Sequence, residues 1–239
     1  MFEEIVPVNV LFDDTLGNSS DTSRVKLGQY RRAMFLVICK PTAAGNWVID
    51  NDGPEEIQIT LKEADAFSGG NTDSMGDAIT FKAGQGVKKM RAFATNEWAN
   101  EDTLTINGVA FEKVASGQSA ADGTFEDAAG LKAAIDANID GVTTAVDSTN
   151  NLDVEVDDPT DYMTVEFDTD ETGANEEVRI DEACCVLEVH ISELSAGKSY
   201  AYLTVDDDTA THDPTSIDAT VIAILGNPYK KPVDQVVLS

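Results

Sequence analysis

The sequence predicts a mainly β protein, a sandwich or barrel-like core carrying one inserted small α+β module with a single helix. Three observations carry this. Short β-branched and aromatic runs recur along the chain, many alternating apolar and polar side chains. Turn-forming Gly, Asn, Asp and Ser separate them. Only one stretch has convincing helical periodicity, and no run of 18 apolar residues exists, so a membrane-spanning helix is not expected.

The N-terminal part opens with the β-rich run Ile5 to Leu11. Ala33-Met-Phe-Leu-Val-Ile-Cys39 is continuously apolar and predicts a strand buried on both faces. Ile57 to Leu61 and Ala78 to Lys82 alternate, with the Gly/Ser/Asn-rich stretch from Phe67 between them. Val87 to Phe93 predicts a further strand, made basic by Lys88, Lys89 and Arg91.

Beyond Asn96 the texture changes. Thr103 to Ile106, then Asn107-Gly108, then Val109 to Val114 predicts a β-hairpin, because Asn-Gly tolerates the positive φ of a type I′ turn. A helix is expected over Phe125 to Asn138, with Thr124 and Asp127 as a capping box and Ala128, Leu131 and Ile135 on one face. Strands are expected at Val142–Val146, Leu152–Val156, Tyr162–Phe167 and Glu177–Ile180. A last plain β region follows, with Cys185, Leu187, Val189 and Ile191 on one face and Cys184, Glu188 and His190 on the other. Tyr200–Val205 and Ala219–Leu225 are its remaining strands. The expected organisation is a β core domain of residues 1–95 plus 183–239, an inserted hairpin-helix-strand module of 96–182, and an extended C-terminal arm of 226–239.

The 239 residues carry a formal net charge of −28, with a pI near 4.1. Up to Thr95 there are 13 acids against 10 bases; after it, 31 against 6. Such a surface repels nucleic acid and anionic membrane, which need Lys and Arg to neutralise phosphate, so neither is expected as a direct partner. The Met-Phe-Glu-Glu start carries acids where a secretory signal needs bases, and Cys39, Cys184 and Cys185 make neither a disulfide framework nor a Cys-x-x-Cys pair. Synthesis in a reducing cytoplasm is expected.

Chemistry-bearing patterns are sparse. His190, with Cys184 and Glu188 on its strand face, forms a metal-ligand grouping only if the face is not simply solvated. His212 falls in the acidic stretch from Asp206 to Pro214. Asp168 to Gly173 opens like an EF-hand loop, but Arg179 stands where its bidentate Glu belongs. Carboxylates at Asp157, Asp158 and Asp161, or Asp206 to Asp208, present either a loose calcium site or a solvated surface. Gly84-Gln-Gly86 lacks the third glycine and the helix of a nucleotide loop, and no Gly-x-Ser-x-Gly occurs. No enzyme activity, cofactor or catalytic residue is expected. Trp47 and Trp98 read as core residues rather than a sugar-binding platform.

One set of side chains contrasts with the acidic background: Arg24, Lys26, Arg31, Arg32, Lys88, Lys89, Arg91, Lys230 and Lys231. They either mark a surface that meets an acidic or phosphate-bearing partner or pair internally with the excess carboxylates.

Val25-Lys-Leu-Gly-Gln-Tyr-Arg-Arg-Ala-Met-Phe-Leu-Val-Ile-Cys39, followed by Ala43-Ala-Gly45 and Ile57-Gln-Ile-Thr-Leu-Lys-Glu-Ala64, resembles a group of small virion proteins of tailed bacteriophages. Asp102 to Phe111 with Ala128 to Asn138 is similar to a hairpin-plus-helix module inserted in many phage structural proteins. The resemblance implies a capsid decoration or cement protein in the virion, a homo-oligomer bound to the outer surface of the major capsid protein shell. The alternatives are a tail or neck component (tube, terminator or fibre-associated) and a calcium-dependent binding module. The resemblance carries no functional residues over.

Overall fold

The computed structural model describes residues 6–16, 19–28, 30–50, 53–169, 177–206 and 214–228. In chain order its elements are β1 (Val6–Thr15), β2 (Ser20–Asp21), β3 (Val25–Lys26), β4 (Tyr30–Asn46), β5 (Val48–Asp50), β6 (Gly53–Pro54), β7 (Glu56–Ala64), β8 (Thr72–Ser74), β9 (Ile79–Lys82) and β10 (Val87–Ala92). They continue with β11 (Thr103–Ile106), β12 (Val109–Lys113), β13 (Thr124–Phe125), α1 (Ala128–Asn138), β14 (Val142–Val146), β15 (Leu152–Val156), β16 (Val165–Asp168), β17 (Val178–His190), β18 (Tyr200–Asp206) and β19 (Thr215–Pro228). The chain is mainly β with one α-helix among the described residues, as its alternating pattern requires.

The described strands make three sheets. A nine-stranded sheet runs β1-β19-β4-β17-β10-β15-β14, with β5 and β6 added beside β17. A six-stranded sheet runs β2-β18-β7-β8, with β3 on β18 and β9 on β7. A four-stranded sheet runs β13-β12-β11-β16. Their buried faces share one hydrophobic core, from Phe35 and Val37 on β4 through Ile57 and Ile59 on β7 to Leu104, Phe111 and Leu131 around the helix.

β17 passes through position 182/183 as one unbroken strand, and β14 and β15 extend the sheet that β4, β17 and β19 centre. The nine-stranded sheet therefore takes strands from both expected segments, whereas the four-stranded sheet and α1 lie wholly within 96–182. Asn107 and Gly108 adopt φ of 52° and 79°, and β11 pairs β12 around them in the hairpin register. α1 starts later than its sequence suggests. Thr124 and Phe125 pair in parallel with β12, and Asp127 is the N-cap, its carboxylate accepting the Gly130 N–H at 2.8 Å. A cap of this kind stabilises a helix by about 1 kcal/mol.

The strand expected from Tyr162 begins at Val165. Thr164 instead exchanges hydrogen bonds with the hairpin-turn residue Asn107, and Met163 bridges to Val87. Of the expected extended arm, Gly226 to Pro228 belong to β19, opposite Arg32 to Tyr30. Residues 229–239 lie outside those described.

Two register shifts shape the sheet's centre. Val87 and Met90 on β10 are three residues apart and both fully buried, as are Ile180 and Ala183 on β17. Strict alternation would put the members of each pair on opposite faces. A shift in each strand, between Val87 and Met90 and between Ala183 and Ile180, returns all four side chains to the core. The residues carried outward by these bulges are Lys88, Lys89, Asp181 and Glu182.

Candidate functional site

The outward face of the nine-stranded sheet is the surface the sequence misjudged. The apolar run on β4 is buried on one face only. Ala33, Phe35, Val37 and Cys39 are fully buried, whereas Met34, Leu36 and Ile38 point the other way and stay half-exposed. A strand is covered on both sides only where a second layer packs on each, and among the described residues no layer covers this side. Register places Leu36 between Val186 on β17 and Ile222 on β19. Ile38 lies between Cys184 and Thr220, and Met34 between Glu188 and Ile224. The result is an outward strip three strands wide, apolar at most positions.

At its β17 border the strip deepens into a groove of about 580 Å³. Leu36, Ile38, Cys184 and Val186 form its floor, and Val156, Pro159 and Tyr162 its far wall. Val186 and Tyr162 are 56% and 65% exposed, unusual for large apolar surface outside interaction sites. The wall is held by Lys88, whose ammonium donates to the Pro159 carbonyl at 3.0 Å and to the Asp161 carbonyl. Burial pushes the Cys184 thiol up from its ordinary value and Cys185, facing inward, up to about 12, so neither is a thiolate nucleophile near neutrality.

Beside the groove, charge crosses three strands. Arg91 on β10 sits opposite Asp153 on β15 and Arg179 on β17. Its Nη2 donates to Asp153 Oδ2 at 2.9 Å, and this hydrogen bond raises the guanidinium pKa. Arg179 Nε approaches Asp181 Oδ1 at 3.3 Å without hydrogen-bond geometry. Burial raises the Asp181 carboxyl pKa, opposed by Arg179, Arg91 and Lys89.

The nine basic residues singled out by the sequence do not form one patch. Arg24 donates to the Ala66 carbonyl at 2.8 Å and to the Gly69 carbonyl, and lies 5.0 Å from the Tyr202 ring centroid. Lys26 sits 6.0 Å from the Tyr200 ring, so both belong to the six-stranded sheet. Arg31 is exposed on β4, and Arg32 beside it pairs with Glu188 at 3.1 Å. Lys89 pairs with Glu155 at 3.6 Å. Arg32 stands opposite His190 and Arg91 opposite Arg179, eleven residues along β17, which is about 36 Å of strand. Lys230 and Lys231 lie outside the described residues. Arg24, Lys26, Arg32, Lys88, Lys89 and Arg91 thus all have partners within the chain.

The expected ligand groupings stay apart. His190 Nε2 lies 3.4 Å from Glu188, but Cys184 is six residues along the same strand, about 20 Å away. Among the described residues no three His, Cys, Asp or Glu side chains converge as metal ligands. Asp157 accepts the Thr143 hydroxyl at 2.7 Å, and Asp158 accepts the N–H and hydroxyl of Thr160. His212, Asp207 and Asp208 fall outside the described residues, as does the Asp168 loop from position 170.

Asp147 shows what these acidic turns do. Its carboxylate accepts the Thr149 hydroxyl and N–H, both at 2.7 Å, and bonds to Asn151. The Thr149 hydroxyl leads in holding its pKa down at about 2, against an ordinary value of about 3.9. A folded-state value below the unfolded one stabilises the fold above about pH 4, and that contribution is lost as the pH falls through about 2. An NMR titration of the Asp147 carboxyl is expected to show a midpoint near 2, moving toward the ordinary value in Thr149→Ala; an unshifted midpoint in the native chain would remove this role.

No family model, no curated protein and no solved structure matches the chain.

Proposed function

We propose that this chain is a structural virion protein of a tailed phage, bound to the outer surface of the major capsid protein shell as a decoration or cement protein that stabilises the head. The observation that carries the reading is the outward apolar strip of Leu36, Ile38, Val186 and Ile222, continuous with the Tyr162 groove. Contiguous apolar surface of this kind gains free energy by meeting another protein surface. The rest of the molecule suits such a role. A continuous core under three sheets makes a rigid platform, and the acidic excess after Thr95 favours a hydrated surface. The phage assignment rests on the resemblance of the Val25 to Ala64 and Asp102 to Asn138 stretches.

The test is co-sedimentation of the purified protein with expanded capsid shells, with the bound copies located by cryo-electron microscopy. Binding in fixed proportion to the shell protein is expected. Leu36→Asp combined with Val186→Asp places two charges on the strip and is expected to weaken binding by at least about a hundredfold, since burying an unpaired carboxylate at an interface costs several kcal/mol. Because both side chains already meet solvent, the melting temperature should change little. Copies confined to the tail or neck would replace the head assignment with a tail one. Absence from particles altogether would remove the virion role.

A further inference from the structure

The groove at the β17 border has a second compartment beside it. Val156 and Tyr162 line both. On one side of them lies the apolar floor of Leu36, Ile38, Cys184 and Val186. On the other is a space of about 400 Å³ whose walls include Asp140 and Asp161.

Charge is unbalanced across the pair. Five carboxylates, Glu155, Asp157, Glu182, Asp140 and Asp161, line the two compartments against two ammonium groups, Lys88 and Lys89. Both ammonium groups are already engaged. Lys88 holds the Pro159 and Asp161 carbonyls, and Lys89 pairs with Glu155 at 3.6 Å. Among the described residues Asp140, Asp161 and Glu182 have no ion pair. Asp140 and Asp161 are exposed, and Glu182 is half-buried.

We infer that the groove and its acidic neighbour together hold one extended segment of a partner protein, with an aliphatic or aromatic side chain on the apolar floor and a Lys or Arg of the same segment reaching past Tyr162 to Asp140 and Asp161. The inference rests on the reading of the strip as an assembly surface and adds the chemistry of what meets it. Exposure argues for a chain segment over a small molecule. A small ligand needs most of its surface enclosed, whereas Val186 and Tyr162 remain open to solvent. A chain lying along the groove continues onto the strip beside Leu36 and Ile222. Charge argues for a basic segment, because opposite charges across an interface favour encounter and fix register while like charges oppose both. A second copy of this chain, at a net charge of −28, brings the wrong sign. The Tyr162 ring, common to both compartments, offers its face to a passing guanidinium.

The test is panning of a ribosome-displayed random peptide library against the purified full-length chain, with the affinities of enriched peptides measured by fluorescence anisotropy. Enriched peptides are expected to combine an aliphatic or aromatic residue with Lys or Arg. Asp140→Asn combined with Asp161→Asn should weaken their binding at least about tenfold and flatten its dependence on salt. Val186→Ser should weaken binding about fivefold and leave the salt dependence as it is. These side chains meet solvent in the free protein, so unchanged melting temperatures are expected and certify the folding of the variants. Full affinity in the double Asn variant, enrichment of acidic peptides, or no enrichment at all overturns the inference. Self-association of the chain that blocks the groove overturns it in favour of a second copy. Sedimentation with shells reads the assembly role separately. A chain that binds such peptides but no shell keeps this inference and loses the phage assignment. One that binds shells equally well with both Asn substitutions keeps the assembly role and loses this inference.

Discussion

Trp98→Ala is expected to lower the unfolding free energy by about 3–5 kcal/mol, read as a large drop in the urea midpoint with the slope unchanged. Trp98 is nearly fully buried at the point where three elements meet. Its ring packs edge-on to Phe125 at 5.9 Å, just before α1, and against Phe167 of β16 at 4.5 Å. Its Nε1–H donates to the Phe93 carbonyl at 2.8 Å, where the chain leaves β10. Alanine leaves a cavity between these groups and strands a carbonyl whose partner was the indole. Trp98→Phe separates the two costs, since it keeps the ring packing and removes the donor; its penalty is expected at about 1–2 kcal/mol. Equal losses in the two variants would mean that the hydrogen bond, and not the packing, joins the helix to the sheets.

Gly86→Ala is expected to cost about 2–4 kcal/mol in the same measurement, a large effect for one methyl group. Gly86 has φ +56°, and a Cβ there would stand 2.0 Å from the Cys184 carbonyl oxygen, backbone that no rotamer change can move. The strand must part from its partner, and the bond from the Cys184 N–H to the Gly86 carbonyl goes with it. Gly108 is the control. Its φ is +79°, but a Cβ there meets nothing within 4 Å, so Gly108→Ala carries only the backbone strain, about 1–2 kcal/mol. Equal costs at the two positions would show that the approach to Cys184 relaxes freely.

The distinction between these glycines marks how far sequence reasoning reaches. Asn107-Gly108 announces its own turn, because the conformation is set by two adjacent residues. Gly84-Gln-Gly86 reads only as a failed nucleotide loop, since its purpose depends on Cys184, nearly a hundred residues away. The same holds for faces. Cys185, Leu187 and Val189 alternate with Glu188 and His190 along one strand, and local period alone assigns them correctly. Ala33 to Cys39 is apolar at every position, so nothing in the run says which face a neighbouring layer leaves uncovered.

For this chain the sequence by itself determined the mainly β class, the hairpin at Asn107-Gly108, the single helix up to Asn138 and the strands Val142–Val146 and Leu152–Val156, because period, turn chemistry and propensity act over a few residues. Tertiary structure alone decided that β17 is continuous, that two bulges return Met90 and Ala183 to the core, and that Arg32 and Arg91 stand far apart with acidic partners of their own. It also decided that Leu36, Ile38 and Val186 share one open strip. Each of these depends on which distant strands pair and in what register, and register is chosen by the burial of whole faces together rather than by any segment alone.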